Sequence, residues 1–161
     1  MPRPREAPVP GHVRAALESI LAAKIDQVAV IEHSRLARLH GRAVATTRRR
    51  RIYLRGSAAD FFANPWLMLH EYCHVLCQWE PGTLTIGRYL MECARHGYWN
   101  NSFEVQAREF ADRHLAALHA RLKEGGAPSA QQRLAPVEAA GDHQQHGAGC
   151  ERGSAGERHE T

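Results

Sequence analysis

Apolar positions recur at helical spacing between Gly11 and Lys24, where Val13, Leu17, Ile20 and Leu21 line one face of an amphipathic helix. The short β-branched run Val28-Ala29-Val30-Ile31 reads as a buried strand. Ser34 can cap a short helix from Arg35 to His40 that stops at Gly41. Two further strand-like runs, Ala43 to Thr47 and Ile52 to Leu54, flank four consecutive arginines, which predicts a β-hairpin with a charged turn. Ala58 to Phe62 reads as a helical turn. Asn64-Pro65 is a helix start, because proline suits the first helical position. From Trp66 to Trp79 the chain is apolar and unbroken, the pattern of a buried helix, and Pro81-Gly82 ends it. A second helix is expected from about Thr85 to Arg95, stopping near Gly97. A third, long one runs from Phe103 to about Lys123, with Asn101 or Ser102 as its cap.

The ends of the chain differ from this middle. Residues 1–10 hold four prolines and read as a flexible lead-in. From Gly125 onward the composition turns to Gly, Ala, Gln, Glu and His, with too few large apolar residues to offset the entropy of ordering. Residues 125–161 are therefore expected to be a disordered tail, leaving one domain over 11–124 of the 161 residues.

Composition narrows the class. A hydrophobic fraction of 43% supports a modest core, and no apolar run approaches the ~20 residues needed to cross a membrane. The N-terminus lacks the apolar stretch of a secretory signal, so a cytoplasmic location and reduced thiols are expected. Cys73, Cys77, Cys93 and Cys150 match no zinc-finger or C-x-x-C spacing. Net charge is +4, with one dense cluster, Arg48 to Arg51. That cluster is narrower than a nucleic-acid footprint and reads as a solvated turn, so neither nucleic acid nor membrane is an expected partner.

The candidate chemistry lies in His70-Glu71-Tyr72-Cys73-His74, an H-E-x-x-H motif. Residues at i and i+4 share a helix face, so two imidazoles can converge on one ion. Glu71 stands on the flank, where it can reach a water on that ion and take its proton as the water attacks a carbonyl. Leu67, Met68, Leu69, Val75 and Leu76 surround the motif, and an apolar helix is a costly place for three such groups without a shared purpose. A catalytic zinc needs a third protein ligand and an open position. Glu104 is the leading candidate, with Ala107 and Ala111 beyond it on the same side to allow close helix approach. Cys77 is the rival, three residues after His74, while Glu109 and Asp112 are weaker candidates or supports for a ligand histidine. Cys73 should point to the core. In the loop before Glu104, His96 or Tyr98 can donate to an oxyanion. His143, His146 and Cys150 in the tail can collect adventitious metal.

The stretch LMLHEYCHVLCQW resembles the zinc helix of the eCIS core domain, a family of inferred metallopeptidase domains found beside extracellular contractile injection systems. That family reads H-E-L-x-H-V-x-Q-Q there, and Cys77 stands where it usually has a glutamine. Upstream, HVRAALES and VAVIEHSRLARLHGRAVATTRRRRIYL follow the same plan, so the resemblance covers about residues 11–123. The run Glu104-x-x-Ala107-x-x-Phe110-Ala111 is similar to the third-ligand segment of ImmA/IrrE-type peptidases, which implies Glu104 as third ligand. Zincin folds often hold an extended peptide on an edge strand beside the zinc helix, and Ile52 to Leu54 is expected to be that strand.

The expected fold is a small α+β zincin: a short sheet packed on the H-E-x-x-H helix and closed by a long C-terminal helix. The expected activity is that of a zinc metallopeptidase of gluzincin type. His70, His74 and Glu104 hold Zn2+, Glu71 is general base and then acid, and the substrate is a protein or peptide. An accessory or secretion-system partner fits the resemblance. The alternatives are a zinc-bearing accessory module without catalysis, with Cys77 completing a closed site, and a regulatory protein touching DNA through Arg48 to Arg51.

Overall fold

The computed structural model of the protein describes residues 3–39 and 44–126. The predicted helix stop at Gly41 and the tail from residue 127, including His143, His146 and Cys150, lie outside the described residues.

The fold is of mixed α+β class, a four-stranded sheet covered by helices. Strand β1 (Arg5–Ala7) pairs antiparallel with β2 (Ala29–Glu32), β2 runs parallel to β4 (Arg51–Leu54), and β4 pairs antiparallel with β3 (Ala45–Arg48). The order across the sheet is β1-β2-β4-β3. Two expectations change here. Arg5–Ala7 is an edge strand within the stretch read as a flexible lead-in; paired Glu6 and Ala7 are flanked by prolines that can sit at a sheet margin but not inside one. The strand at the opposite edge is β3, not Ile52 to Leu54, because β4 is enclosed between β2 and β3. The hairpin turn is also tighter than the four-arginine run suggested. Arg48 and Arg51 end the two strands as a register pair, and only Arg49 and Arg50 make the turn.

Helix α1 (Gly11–Leu21) buries Val13, Ala16 and Leu17 and ends where Ala22 turns left-handed at φ 50°. A short helix, α2 (Arg35–Leu39), follows β2, with Ser34 Oγ accepting from the Leu36 amide at 3.2 Å. Ser57 caps α3 (Ala58–Phe62), and Asn64 caps α4 (Pro65–Cys73) by accepting from the Leu67 amide at 3.0 Å. The alternation of β2 and β4 turns Val30, Ile52 and Leu54 into a core with Leu17, Ile25, Phe61, Met68, Leu69 and Tyr72. Helix α5 (Ile86–His96) starts at the Thr85 cap and ends at Gly97, whose φ of 74° suits glycine. The last helix, α6 (Ser102–Gly126), packs on α4 and α1. It runs past the predicted end at Lys123 and through Gly125 and Gly126, and it buries Ala107, Ala111 and Leu118 against the other helices.

One buried charge ties the outer strand to the core. Glu32 is 4% exposed and accepts from the Ala58 amide at 2.9 Å and from the Arg5 guanidinium. The amide of α3 and the arginine together hold its carboxyl below the ordinary glutamate range. A group with a lowered folded pKa contributes stability above its unfolded pKa and loses it as pH falls through the folded value. The gap in urea midpoint between the protein and its Glu32→Gln variant should therefore be open at neutral pH and close in acid. A gap independent of pH would assign Glu32 no charged role.

Candidate metal centre

His70 and His74 sit on consecutive turns of the helix that Asn64 and Pro65 start. Their rings meet edge to face, with centroids 4.7 Å apart at 88°, and their Nε2 atoms lie 3.1 Å from each other. Glu104, in the first turn of α6, brings Oε2 to 3.3 Å from His70 Nε2 and Oε1 to 3.7 Å from His74 Nε2. All three side chains are buried, and their donor atoms fall within 4.8 Å of one another. Two ligand atoms on one tetrahedral zinc, each ~2.05 Å from it, stand about 3.3 Å apart. The donors are thus spaced as an ion requires, and Glu104 Oε2 is buried with no hydrogen-bond partner. His70, His74 and Glu104 form a set that can hold a metal ion.

The supporting contacts fix which nitrogen faces the ion. Gln78 Nε2 donates to the Phe103 carbonyl and to Gln106 Oε1, both at 2.9 Å. A backbone carbonyl can only accept, so the amide oxygen of Gln78 must face His74 Nδ1, 2.7 Å away. His74 therefore donates from Nδ1 and turns Nε2 to the donor set. Gln78 reaches that position because the helix widens. After Cys73 the α-helix gives way to a π-helical turn, His74–Trp79, closed by a Glu80 amide to Val75 carbonyl bond of 3.0 Å. The predicted single helix from Trp66 to Trp79 is thus two kinds of helix. On the other side, Trp66 stacks on His70 at 5.1 Å and 18°, and its Nε1 donates to Asp112 at 2.7 Å.

Glu104 is held in turn by α5. Tyr89 donates to Glu104 Oε1 at 2.7 Å, and Asn101 accepts from the Phe103 amide at 2.9 Å while donating to the Tyr89 carbonyl at 3.3 Å. Burial by itself would raise the Glu104 pKa; contacts with His70, His74 and Tyr89 instead hold it far below the carboxylate range. Burial disfavours a charged His74, yet the adjoining Glu104 and Glu71 carboxylates raise its pKa overall. A metal cation displaces such a proton. Glu71 is 5% exposed, and burial pushes its carboxyl up, against the pull of His74 and His70.

The remaining candidates are placed elsewhere. Cys77 is half-buried and outside the donor set. It sits one helical turn beyond Cys73, which is in the core at 1% exposure, and the partnership with the Cys73 thiol lowers the Cys77 pKa to about 7. Glu109 is exposed, and Asp112 supports His70 only through Trp66. A cavity of about 390 Å³ opens over the donor set, lined by His70, Glu71, His74, Glu104 and the whole of β3. Tyr89 and Tyr98 also line it, whereas His96 does not. Gln78, Tyr89 and Trp66 are site residues that sequence reasoning did not single out. Gln78 had a signal, since it falls on the last glutamine of the H-E-L-x-H-V-x-Q-Q pattern; Tyr89 and Trp66 had none.

Residues 8–82 match the family model of the eCIS core domain. The match contains the two histidines and Glu71 and stops before Tyr89, Tyr98 and Glu104. No curated protein and no solved structure matches the chain.

Removing Glu104 takes away one of three donors, so Glu104→Ala should lose most of its bound metal on dialysis. Gln78→Leu should hold the metal about 10–100-fold more weakly, the usual effect of losing a partner behind a ligand histidine. Metal content measured on both variants checks this; undiminished content in Glu104→Ala would exclude it as a ligand.

Proposed function

We propose that the protein is a zinc-dependent peptidase of zincin type, in which His70, His74 and Glu104 hold Zn2+ and Glu71 is general base and then acid. Two imidazoles and one carboxylate suit zinc, and three protein ligands leave a position open. The observation that carries the reading is the place of Glu71. It lies in the wall of the same open cavity as the donor set, buried and with a raised pKa. A closed structural site has no use for such a glutamate or for such a cavity.

Zinc, when bound, supplies Lewis acidity that polarises a carbonyl and makes a water easier to deprotonate. The chain's own residues supply the rest. Glu71 takes a proton from the attacking water and returns it to the leaving nitrogen, a task suited to a carboxyl with a raised pKa. The outer edge of β3 borders the cavity and offers unpaired backbone groups to an extended peptide. Tyr98 also borders it; the residue is half exposed, and partial desolvation together with the Glu104 carboxylate raises its pKa, so its hydroxyl keeps the proton it would donate to an oxyanion. Tyr89 is engaged by Glu104 and acts as a positioning residue.

A second reading, a zinc-bearing accessory module, draws support from the exposed apolar side chains of Ile86 and Leu90 in the cavity wall. Glu71→Gln separates the two. Zinc-loaded wild type should cleave an unfolded protein, with fragments read by mass spectrometry. The variant should keep its zinc and lose about 10²–10⁴-fold in kcat. Equal cleavage by both proteins would remove Glu71 from the mechanism; none by the zinc-loaded wild type would favour the accessory module.

A further inference from the structure

The cavity over the metal centre does not end at His74. Its walls Arg48, Trp79, Leu84 and Ile86 continue into a second, more open groove of about 930 Å³. All four consecutive arginines, Arg48 to Arg51, line this groove, and Glu80 is the only acidic residue in its walls. Glu80 is already engaged: Arg50 Nε donates to Oε1 at 2.7 Å and the guanidinium reaches Oε2 at 3.2 Å. That two-point contact pins the turn against the end of the π-helical segment. Arg48, Arg49 and Arg51 are exposed, and none has an acidic partner among the described residues.

The local energetics are unfavourable to such a cluster. Arg48 and Arg51 are directly opposed in the β3–β4 ladder, and like charges at that position repel. Arg49 takes a φ of 47°, a conformation that favours glycine or asparagine. A hairpin turn needs none of these guanidinium groups. Their arrangement makes sense if an anion lies among them.

We infer that the groove receives acidic side chains of the peptide substrate, on the side of the scissile bond that leaves the metal centre past Trp79 toward the hairpin turn. This names the substrate class for the proposed peptidase and rests on that reading. An extended peptide along β3 passes from Ala45, in the wall of the metal-centre cavity, to Arg48, where that cavity meets the groove. Its carboxylates then meet guanidinium groups that present planar, paired donors. The junction between cavity and groove is walled by Leu84 and Ile86, which suits an apolar side chain between the bond and the acidic residues and not a phosphate backbone. A duplex also needs a basic face wider than one hairpin turn.

The test uses the zinc-loaded Glu71→Gln protein and fluorescein-labelled unstructured peptides carrying a run of glutamates, glutamines or lysines, with a short DNA duplex alongside. The glutamate peptide should bind about tenfold more tightly than the glutamine peptide, as a few exposed charge pairs would give, and the gap should shrink with added salt. In the same background, Arg48→Glu/Arg51→Glu should reverse the order in favour of the lysine peptide. Its circular dichroism and zinc content should be unchanged. Equal affinity for glutamate and glutamine peptides would overturn the inference, as would tighter binding of the duplex through the same arginines. Cleavage distinguishes the two failures. Wild type cutting both peptides equally would sink the acidic preference and leave the peptidase standing. A glutamate preference in binding, with no cleavage by wild type, would sink the peptidase and leave an acidic-peptide groove.

Discussion

A carboxylate buried to 4% exposure needs polar partners beside it, and among the described residues Glu104 meets the two histidines of the facing helix and the Tyr89 hydroxyl. The rest of the structure follows from bringing it there. α6 must lie close to α4, and Ala107 and Ala111, both fully buried, permit the approach that larger side chains would prevent. The first turn of α6 must then be fixed in register. Asn101 does this by capping the helix and gripping the Tyr89 carbonyl, while the Tyr89 hydroxyl holds the carboxylate. The histidines are constrained independently, His74 by Gln78 and His70 by the Trp66 ring. Separate elements thus fix the three donors, and they meet at one point.

Much of this was legible in the chain because it rests on local patterns. The apolar run around the motif, the Asn64-Pro65 start and the hairpin flanking the arginines each carry their own signal, as does the mixed α+β class that follows from them. The juxtaposition of Glu104 with the histidines was readable only as one choice among several. It depends on how α6 lies across α4, a long-range relation that residue spacing within one helix does not encode. Cys77, three residues after His74, was a rival ranked below Glu104, and the structure leaves it outside the donor set.

What escaped the sequence has a common cause. The Arg5–Ala7 strand is short and set among prolines, so its pairing is decided by β2 and by Glu32, not by its own propensity. The π-helical turn leaves no mark in the apolar pattern, which runs unbroken through buried Val75 and half-buried Leu76 and Trp79. The swap of β3 for β4 at the sheet edge comes from the parallel pairing of β2 with β4, a crossover that a hairpin pattern cannot predict. Tertiary partners settled each of these.

The edge position of β3 in turn explains why the cavity and the arginine groove form one path. An interior strand would have its backbone groups taken on both sides, and the cavity would be closed by sheet. As the outermost strand, β3 keeps one side unpaired. Its tip carries the arginines into the groove, while the whole strand lines the cavity with the helix of His70 and His74. The opposite wall is α5, which buries none of its residues and is held through Tyr89 and Asn101. One wall of the cleft is therefore built into the sheet and the other is attached by a few polar contacts. Two of those contacts also set the third metal donor. A displacement of α5 would therefore act on Glu104 as well, through the Tyr89 hydroxyl and Asn101.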